Sequence, residues 1–206
     1  MPSDFDAKAA TWDDDPAKRR RATTVADAIR AAVPLDASTR LFEYGAGTGL
    51  VSQALTGHVG PITLAEPSAG MRAVLADKVA DGSLPADARI WDLDLATTAP
   101  PDERFDLVVS VMTLHHIPDT VPVLDGFARL LTDGGQVCIV DLVEEDGSFH
   151  AGDHDFDGHH GFGRGQLTAQ LQRAGFEDVH FEPCAEMEKN GRTYPLFLAT
   201  GTRPRR

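Results

Sequence analysis

An acidic residue followed by three glycines at alternating positions is the pattern in this sequence with the clearest chemical meaning. Residues 41–50 read LFEYGAGTGL, so that Glu43 precedes Gly45, Gly47 and Gly49. The apolar residues before the glycines predict a strand, and the amphipathic run after them predicts a helix. A glycine turn between a strand and a helix lets the backbone approach a nucleotide-like cofactor. A carboxylate at the strand end accepts a hydrogen bond from an ammonium group and repels a pyrophosphate, so we expect a cofactor that carries an amine.

The spacing of these glycines argues against a dinucleotide. The dinucleotide fingerprint G-x-G-x-x-G places its third glycine three residues after the second. Leu50 or Ser52 occupies that place here, depending on which pair of glycines is counted. An NAD-dependent oxidoreductase shares the strand–glycine–helix layout and therefore stays open as an alternative function.

The glycine segment resembles motif I of the class I S-adenosylmethionine (SAM)-dependent methyltransferases, in particular the small-molecule enzymes of the type 11 and type 12 groups. The resemblance extends over nearly the whole chain, with several motifs in the family's order. It implies SAM as the cofactor and methyl transfer to a small-molecule acceptor as the activity. Glu43 would then hold the methionine amine of SAM, and the loop backbone would approach the cofactor. The residues implied in this loop are Glu43, Gly45, Ala46, Gly47 and Gly49.

Acidic residues also follow the second and third predicted strands. Glu66 ends strand 61–65, where a carboxylate can accept both ribose hydroxyls of an adenosine, a device that NAD proteins share. The family resemblance implies that an acid after strand 88–91 accepts a hydrogen bond from the adenine amino group. Asp92 is nearest the strand end, and Asp94 is the alternative. The cofactor residues predicted in this part of the chain are Glu66, Pro67, Met71, Asp92 and Leu93.

The segment after the fourth predicted strand, 105–110, contains a histidine pair that resembles a Leu-His-His-Ile segment of the family. The resemblance implies that Ser110, Val111 and Met112 line the cofactor beside its methylsulfonium carbon. His115 is a candidate general base because an imidazole titrates near neutral pH. An Asn-Pro-Pro-Tyr tetrad, which marks many DNA amino-methylases, does not follow this strand, and this favours a small-molecule acceptor.

Residues 144–163 form a long connection that is rich in Asp, His and Gly, and the resemblance implies that it lies on the acceptor side. His159 and His160 are the candidates there for facing the acceptor and taking a proton from it. With His150 and His154 they stand among carboxylates, a composition that could bind a divalent metal. Their spacing matches no helix-borne metal pair such as H-E-x-x-H, so we predict no metal.

The charge of the chain limits its partners. The net charge is −13, and an acidic surface repels a phosphate backbone, so nucleic acid is not expected as a substrate. No apolar segment approaches the length of a membrane span, and the N-terminus lacks a signal-peptide pattern. The expectations are therefore a small-molecule acceptor, no membrane association, a cytoplasmic location and a monomer or homodimer.

The predicted elements include helices at about 17–32 and 48–57, a helix that opens at Pro118 and a strand over 136–143. Their order indicates one α/β domain over residues 1–206. Its Rossmann-like sheet is expected to have seven mostly parallel strands with an antiparallel last strand, and helices on both faces. Asn190-Gly191 predicts a closing hairpin between strands 178–187 and 192–200. Residues 1–34, with Trp12, are expected to form a helical lid, as in the family. A third hypothesis is a catalytically silent SAM-binding module, which would show a damaged cofactor motif.

Overall fold

A computed structural model of the chain describes residues 4–153 and 155–205, which form two compact units divided between Asp94 and Leu95. Strands and helices alternate along both units. The strands are β1 Leu41–Tyr44, β2 Ile62–Ala65, β3 Arg89–Trp91, β4 Phe105–Val111, β5 Leu131–Leu142, β6 Glu177–Lys189 and β7 Arg192–Thr202. The α-helices are α1 Asp4–Lys8, α2 Pro16–Ala32, α3 Leu50–Leu55, α4 Ala69–Ala80, α5 Val121–Leu130 and α6 Arg164–Arg173.

The strands form a seven-stranded sheet in the order β3-β2-β1-β4-β5-β7-β6. Strands β1, β2 and β3 pair in parallel, as do β4 and β5. Strand β7 pairs antiparallel with both β5 and β6. The predicted α/β class, with a mostly parallel sheet and an antiparallel last strand, is confirmed.

Two strands of the first unit, β1 and β2, are buried along their whole length. Every residue of β1 and β2 is buried, which explains why both read as continuous apolar runs rather than alternating ones. The first long helix, α2, begins where Asp15 caps the amide of Ala17 at 2.8 Å and Pro16 occupies the first turn. Its buried face includes Val25 and Ile29, so the predicted helix at about 17–32 is confirmed.

The second unit ends in the hairpin that its turn residues predict. Asn190 and Gly191 have φ of 52° and 73°, and two positive φ angles are what a two-residue type I′ turn requires. Strand β5 is the central strand of this unit, and Val137 to Val140 are fully buried in it. The hairpin prediction is therefore confirmed, although both strands extend beyond the predicted limits.

Two boundaries in the second unit differ from the sequence-based expectation. The helix predicted to open at Pro118 begins at Val121, because the Asp119 side chain accepts a hydrogen bond from the Val121 amide at 3.0 Å. It ends at Leu130, and strand β5 starts at once instead of at residue 136. Gly134, with φ of 81°, lies in a register shift of this strand rather than at the end of the helix.

Helix α3 is also shorter than the predicted 48–57. Gly49 precedes it with a left-handed φ of 76°, which keeps the residues before Leu50 out of the helix. Thr56 forms a bridge with Val59 and ends it at Leu55. Within residues 4–153 and 155–205, no helix combines the length and apolar character needed to cross a membrane.

Candidate functional site

The glycine loop of the first unit has a backbone that other residues adopt only with strain. Gly45, Gly47 and Gly49 have φ of 68°, 56° and 76°, all in the left-handed region. The amides of Gly45 and Ala46 both donate to the carbonyl oxygen of Ala65, at 2.9 and 3.1 Å. A Cβ on Gly49 would lie 2.6 Å from a methyl carbon of Leu75. The alternating glycines are therefore required by backbone geometry and by packing.

Glu43 lies beneath this loop and is almost fully buried, with 3% of its surface exposed. Its carboxylate accepts hydrogen bonds from the Ser52 hydroxyl and, at 3.1 Å, from the Ser52 amide. Burial raises the pKa of Glu43 to about 7, against the lowering effect of these two hydrogen bonds. A nearby cation would restore the negative charge near neutral pH, which suits a partner with an ammonium group.

Glu66 is tied to the same loop through its two carboxylate oxygens. One oxygen accepts from the Gly47 amide and the other from the Ser68 amide, each at 2.8 Å. The residue is 7% exposed, and burial raises the pKa of its carboxyl group. Because each carboxylate oxygen has two lone pairs, both oxygens keep capacity for a hydroxyl donor. Glu66 is thus oriented by the backbone before any ligand binds.

The two candidate acids after β3 have different surroundings. Asp92 forms a two-pronged ion pair with Arg72, at 3.0 and 2.9 Å, and its side chain is 71% exposed. Asp94 accepts from the Tyr44 hydroxyl at 3.1 Å. Leu93, between them, is buried. Asp92 is therefore the acid with oxygens open to a ligand from solvent, while Asp94 braces the end of β1.

Met71, another predicted cofactor residue, is buried in α4 with only 1% of its surface exposed. Its amide is capped by the Ser68 hydroxyl at 3.2 Å. Pro67 is exposed, and its carbonyl oxygen accepts from Arg72 at 2.7 Å. These contacts hold the turn between β2 and α4, at which Glu66 stands, in one conformation.

The N-terminal segment is fastened to this part of the first unit by two aspartates that sequence reasoning did not single out. Asp6 accepts from the Ser68 hydroxyl at 2.6 Å and from the Gly70 amide at 2.8 Å. Asp13 accepts from the Thr48 hydroxyl and pairs with the Lys78 ammonium group, both at 2.5 Å. No local sequence pattern marks Asp6 or Asp13, because their partners lie 35 to 65 residues away.

Trp12 stays within this N-terminal segment. The Lys18 ammonium nitrogen lies 3.5 Å from the centre of its ring system, and the Phe5 ring packs edge-on at 6.1 Å. These are packing and cation–π contacts. They give Trp12 a packing role, and its role as a lid aromatic stays a prediction.

In the second unit, the end of β4 carries the residues predicted to line the cofactor. Ser110 is 1% exposed, and its hydroxyl oxygen has no hydrogen-bond partner among the described residues. Val111 ends the strand and is half-buried. Met112 has a φ of 54°, rare for a non-glycine residue, while its amide donates to the Val140 carbonyl at 2.8 Å. Strained backbone of this kind clusters at functional sites.

His115 is the buried member of the histidine pair, and Asp141 holds it. The His115 Nδ1 atom lies 2.6 Å from the Asp141 carboxylate, and both side chains are 1% exposed. Asp141 also accepts from the backbone amides of His115 at 3.3 Å and Leu142 at 2.8 Å. Sequence reasoning missed Asp141, although an acid at the end of the apolar run Val137–Val140 was a usable signal.

The connection 144–163 folds back onto the pair of His115 and Asp141. The His159 amide donates to the His115 carbonyl oxygen at 2.7 Å, and a Cβ on Gly158 would lie 2.1 Å from that oxygen. The Nε2 atom of His159 is buried without a hydrogen-bond partner in the described residues. His160 points outward, 52% exposed, with its Nδ1 atom 3.6 Å from Glu145. His154 lies outside the described residues.

Aromatic rings anchor the middle of this connection. Phe149 is 2% exposed and packs edge-on against His115 at 5.9 Å. His150 stacks on Phe156, with ring centres 3.7 Å apart. The structure thus brings His115 and His159 together and adds His116 and His150, which the sequence did not single out as catalytic.

Comparison with known proteins decides the family. A family model described as a methyltransferase domain matches residues 17–181, which is most of the chain. The chain belongs to the class I SAM-dependent methyltransferases. The match includes the glycine loop, Glu66 and the histidine pair, and it favours the methyltransferase prediction over the alternative of an NAD-dependent oxidoreductase.

Individual relatives of this methyltransferase domain agree with that assignment. Over 141 residues the chain is 32% identical to 27-O-demethylrifamycin SV methyltransferase of Amycolatopsis mediterranei, covering 64% of this chain and 49% of that protein. The chain therefore spans about half the length of that curated relative.

Solved structures of low sequence identity show the same fold. A methyltransferase in complex with the Haloferax volcanii Trm112 methyltransferase activator matches with a TM-score of 0.78 at 18% identity, covering 99% of both chains. A Haemonchus contortus phosphoethanolamine N-methyltransferase in complex with phosphomonomethylethanolamine and S-adenosylhomocysteine matches with a TM-score of 0.73 at 15% identity, covering 90% of this chain and 53% of that one.

Proposed function

We propose that this methyltransferase domain binds SAM at the glycine loop of its first unit and transfers the methyl group to a small-molecule acceptor. The observation that carries the proposal is the pair of buried carboxylates, Glu43 and Glu66, which the loop and its neighbouring backbone amides orient. Family membership supports SAM as the methyl donor.

The residues of the first unit fit the parts of this cofactor. Glu43, whose pKa is raised by burial, matches the ammonium group of the methionine moiety. Glu66 offers one oxygen to each ribose hydroxyl, since each oxygen has a lone pair beyond its bond to a backbone amide. Asp92 offers exposed oxygens to the adenine amino group. When bound, SAM supplies an electrophilic methyl group on a sulfonium.

The other residues proposed for the cofactor act mainly through backbone and shape. The left-handed glycines and Ala46 keep side chains away from the loop surface, and Leu93 supplies backbone next to Asp92. In the second unit, Ser110, Val111 and Met112 keep their proposed role of lining the methyl group. The partnerless Ser110 hydroxyl supports it, since a buried polar atom without a partner is unfavourable unless a ligand satisfies it.

For the acceptor we propose the histidines of the second unit. His160 is exposed and His159 has a partnerless ring nitrogen, so these two are assigned to contact the acceptor and receive its proton. His115 is buried, so we propose that it acts on the acceptor indirectly, by positioning its neighbours in the connection 144–163. Methyl transfer chiefly requires alignment of the nucleophile with the methyl group and exclusion of water.

Two observations favour a small molecule as the acceptor. The net charge of −13 opposes binding to nucleic acid. A relative is named as a methyltransferase of 27-O-demethylrifamycin SV, and a structural neighbour was solved with phosphomonomethylethanolamine. These names describe those proteins and guide the choice of compounds for this one.

Calorimetry with SAM and S-adenosylhomocysteine tests the cofactor. We expect both to bind the wild-type chain, and we expect Glu66→Ala to weaken both by about 100-fold, because hydrogen bonds to a charged group contribute about 1.5–3 kcal/mol each. The exposed Glu182 of β6 provides the matched control, and Glu182→Ala should bind like wild type. Absent binding of both ligands would refute the proposal.

A panel of small alcohols, amines and thiols, assayed for release of S-adenosylhomocysteine, tests the acceptor. Turnover on any of them supports a small-molecule methyltransferase. Intact binding of S-adenosylhomocysteine with no turnover on the whole panel would instead favour the catalytically silent module.

A further inference from the structure

Three histidine rings of the second unit meet at one place. His115, His116 and His150 each contribute one ring nitrogen, and these nitrogens lie within 4.8 Å of one another. The ring centres are 4.0 Å apart for His115 and His116, 5.4 Å for His115 and His150, and 5.3 Å for His116 and His150. We call these three residues the histidine cluster.

Two ring nitrogens of the cluster, on His115 and His150, lack a hydrogen-bond partner among the described residues. The Nδ1 atom of His115 faces the Asp141 carboxylate, so in the neutral ring Nδ1 carries the proton and the lone pair lies on Nε2. That Nε2 atom and the Nε2 atom of His150 are both buried with no hydrogen-bond partner among the described residues. Buried polar atoms of this kind are uncommon and are explained by a missing ion, water or ligand.

Two phenylalanine rings enclose the cluster. Phe149 and Phe156 pack against the rings, and such an apolar shell limits the access of water.

We propose that the histidine cluster binds a divalent transition-metal ion of the Zn²⁺ type, with His115, His116 and His150 as its ligands. Asp141 stands behind His115 as the carboxylate of a carboxylate–histidine–metal arrangement, which fixes the tautomer of the ring. Imidazole is a preferred ligand of zinc, copper and nickel ions. Three protein ligands leave a fourth position open, as in zinc sites that bind water or substrate.

The geometry needs only a modest closure of the rings. Tetrahedral coordination at a Zn–N distance of about 2.0–2.1 Å places the ligand nitrogens about 3.4 Å apart. His116 is exposed and can turn its ring toward the other two. The site does not depend on SAM binding, so it can be tested separately from the proposed methyl transfer.

The experiment titrates Zn²⁺ into the full chain, prepared without a polyhistidine tag and stripped with a chelator. Calorimetry should show one ion per chain, and Co²⁺ in its place should give the visible absorption of a tetrahedral nitrogen site. We expect His116→Ala and His150→Ala each to weaken Zn²⁺ binding more than 100-fold. Asp141→Asn should weaken it about 10–100-fold, the usual effect of losing the group behind a ligand.

Two histidines outside the cluster serve as controls. His58 is exposed in the first unit, and His180 lies on β6, so His58→Ala and His180→Ala should bind Zn²⁺ like wild type. His116 is exposed and His150 is half-buried, so their alanine variants should keep the wild-type circular dichroism even if changes at the buried His115 and Asp141 disturb folding.

The proposal is overturned if the wild-type chain binds no Zn²⁺, or if His116→Ala and His150→Ala bind it as tightly as wild type. Calorimetry of SAM with the same samples separates this outcome from failure of the proposed function. If His116→Ala and His150→Ala lose Zn²⁺ binding but still bind SAM, the histidine cluster binds the metal ion and is not needed for SAM binding.

Discussion

The glycine loop and the histidine cluster differ in the hydrogen bonding of their buried polar groups. Around the loop, Glu43 and Glu66 accept hydrogen bonds from nearby amides, so their carboxylates are held in place without any ligand. In the cluster, the Nε2 atoms of His115 and His150 are buried with no partner among the described residues. The first arrangement is complete and preorganised, whereas the second needs a further group to become satisfied.

Burial also moves the pKa values of the two regions in opposite directions. It raises the pKa of Glu43 to about 7, because burial disfavours a carboxylate, and it lowers the pKa of His150 to about 4, because burial disfavours an imidazolium. Each of these two side chains therefore favours its neutral form. Glu43 gains its charge when a cation binds nearby, whereas the neutral His150 ring offers a lone pair.

The largest expected effect lies beside the cluster, at Asp141. Asp141→Ala removes the acceptor of three donors, namely the His115 ring nitrogen and the amides of His115 and Leu142. Each buried donor left without a partner is unfavourable by about 1–3 kcal/mol, so we expect a loss of about 3 kcal/mol or more in the free energy of unfolding. Chemical denaturation measures it, with the exposed Asp125→Ala of α5 as control. A loss below about 1 kcal/mol would contradict the role of Asp141 as the support of this region.

The glycine loop should show the next largest effect. Gly49→Ala combines left-handed strain of about 1–2 kcal/mol with overpacking of about 1–3 kcal/mol against Leu75. Gly47→Ala has the strain but open space around its Cβ, so it should be unfavourable by only about 1–2 kcal/mol. Urea unfolding of both variants gives the comparison. Gly165→Ala in α6, with no strain and open space, serves as control and should be neutral or stabilising. Equal losses at Gly47 and Gly49 would show that packing against Leu75 is unimportant.

The raised pKa of Glu43 predicts a pH-dependent affinity for SAM. Below its pKa of about 7 the carboxyl group is protonated and cannot balance the ammonium group. Calorimetry between about pH 5.5 and 7.5 should therefore show tighter binding as pH rises, by about tenfold or more, since each pKa unit corresponds to about 1.4 kcal/mol. Glu43→Gln should bind more weakly and lose this dependence. If the affinity of the wild-type chain for SAM does not change with pH, Glu43 does not bind the amine of SAM.

The raised pKa of Glu43 also makes the stability of the unliganded chain depend on pH. A carboxyl group whose pKa is higher in the folded than in the unfolded state binds more protons when folded, so stability falls as pH rises from about 4.5 to about 7. Thermal unfolding of wild type against Glu43→Gln across this range tests the sign. The glutamine variant should have a flatter profile.

The smallest expected effect concerns the N-terminal segment, predicted as a lid. Asp13→Asn weakens the partly buried pair with Lys78 and should lower stability by about 1 kcal/mol, the upper range for an exposed pair. Hydrogen exchange should speed up in the N-terminal segment and leave β5 unchanged. The exposed pair of Asp27 and Arg30 offers a control, since Asp27→Asn should change neither quantity. If hydrogen exchange in the N-terminal segment is unchanged in Asp13→Asn, Asp13 does not anchor the segment.

The elements that the sequence predicted correctly are those specified by local chemistry. The buried strands β1 and β2 are short apolar runs, and the turn at Asn190 and Gly191 requires residues that tolerate positive φ. Boundaries were less predictable where competing local signals meet. Helix α5 starts at Val121, whose amide donates to the Asp119 side chain, and strand β5 takes in Gly134 at a register shift of its pairing with β4.

The sequence by itself determined the glycine loop and the two acids beside it, because a left-handed backbone demands glycine and a strand end places the next side chain predictably. Tertiary structure alone decided the partners of Asp13 and Asp141, and the meeting of His150 with His115 and His116. These residues lie far apart in the chain, and only folding joins them. The glycine loop could therefore be predicted from local rules, whereas the histidine cluster could not, because its rings are brought together by a long connection.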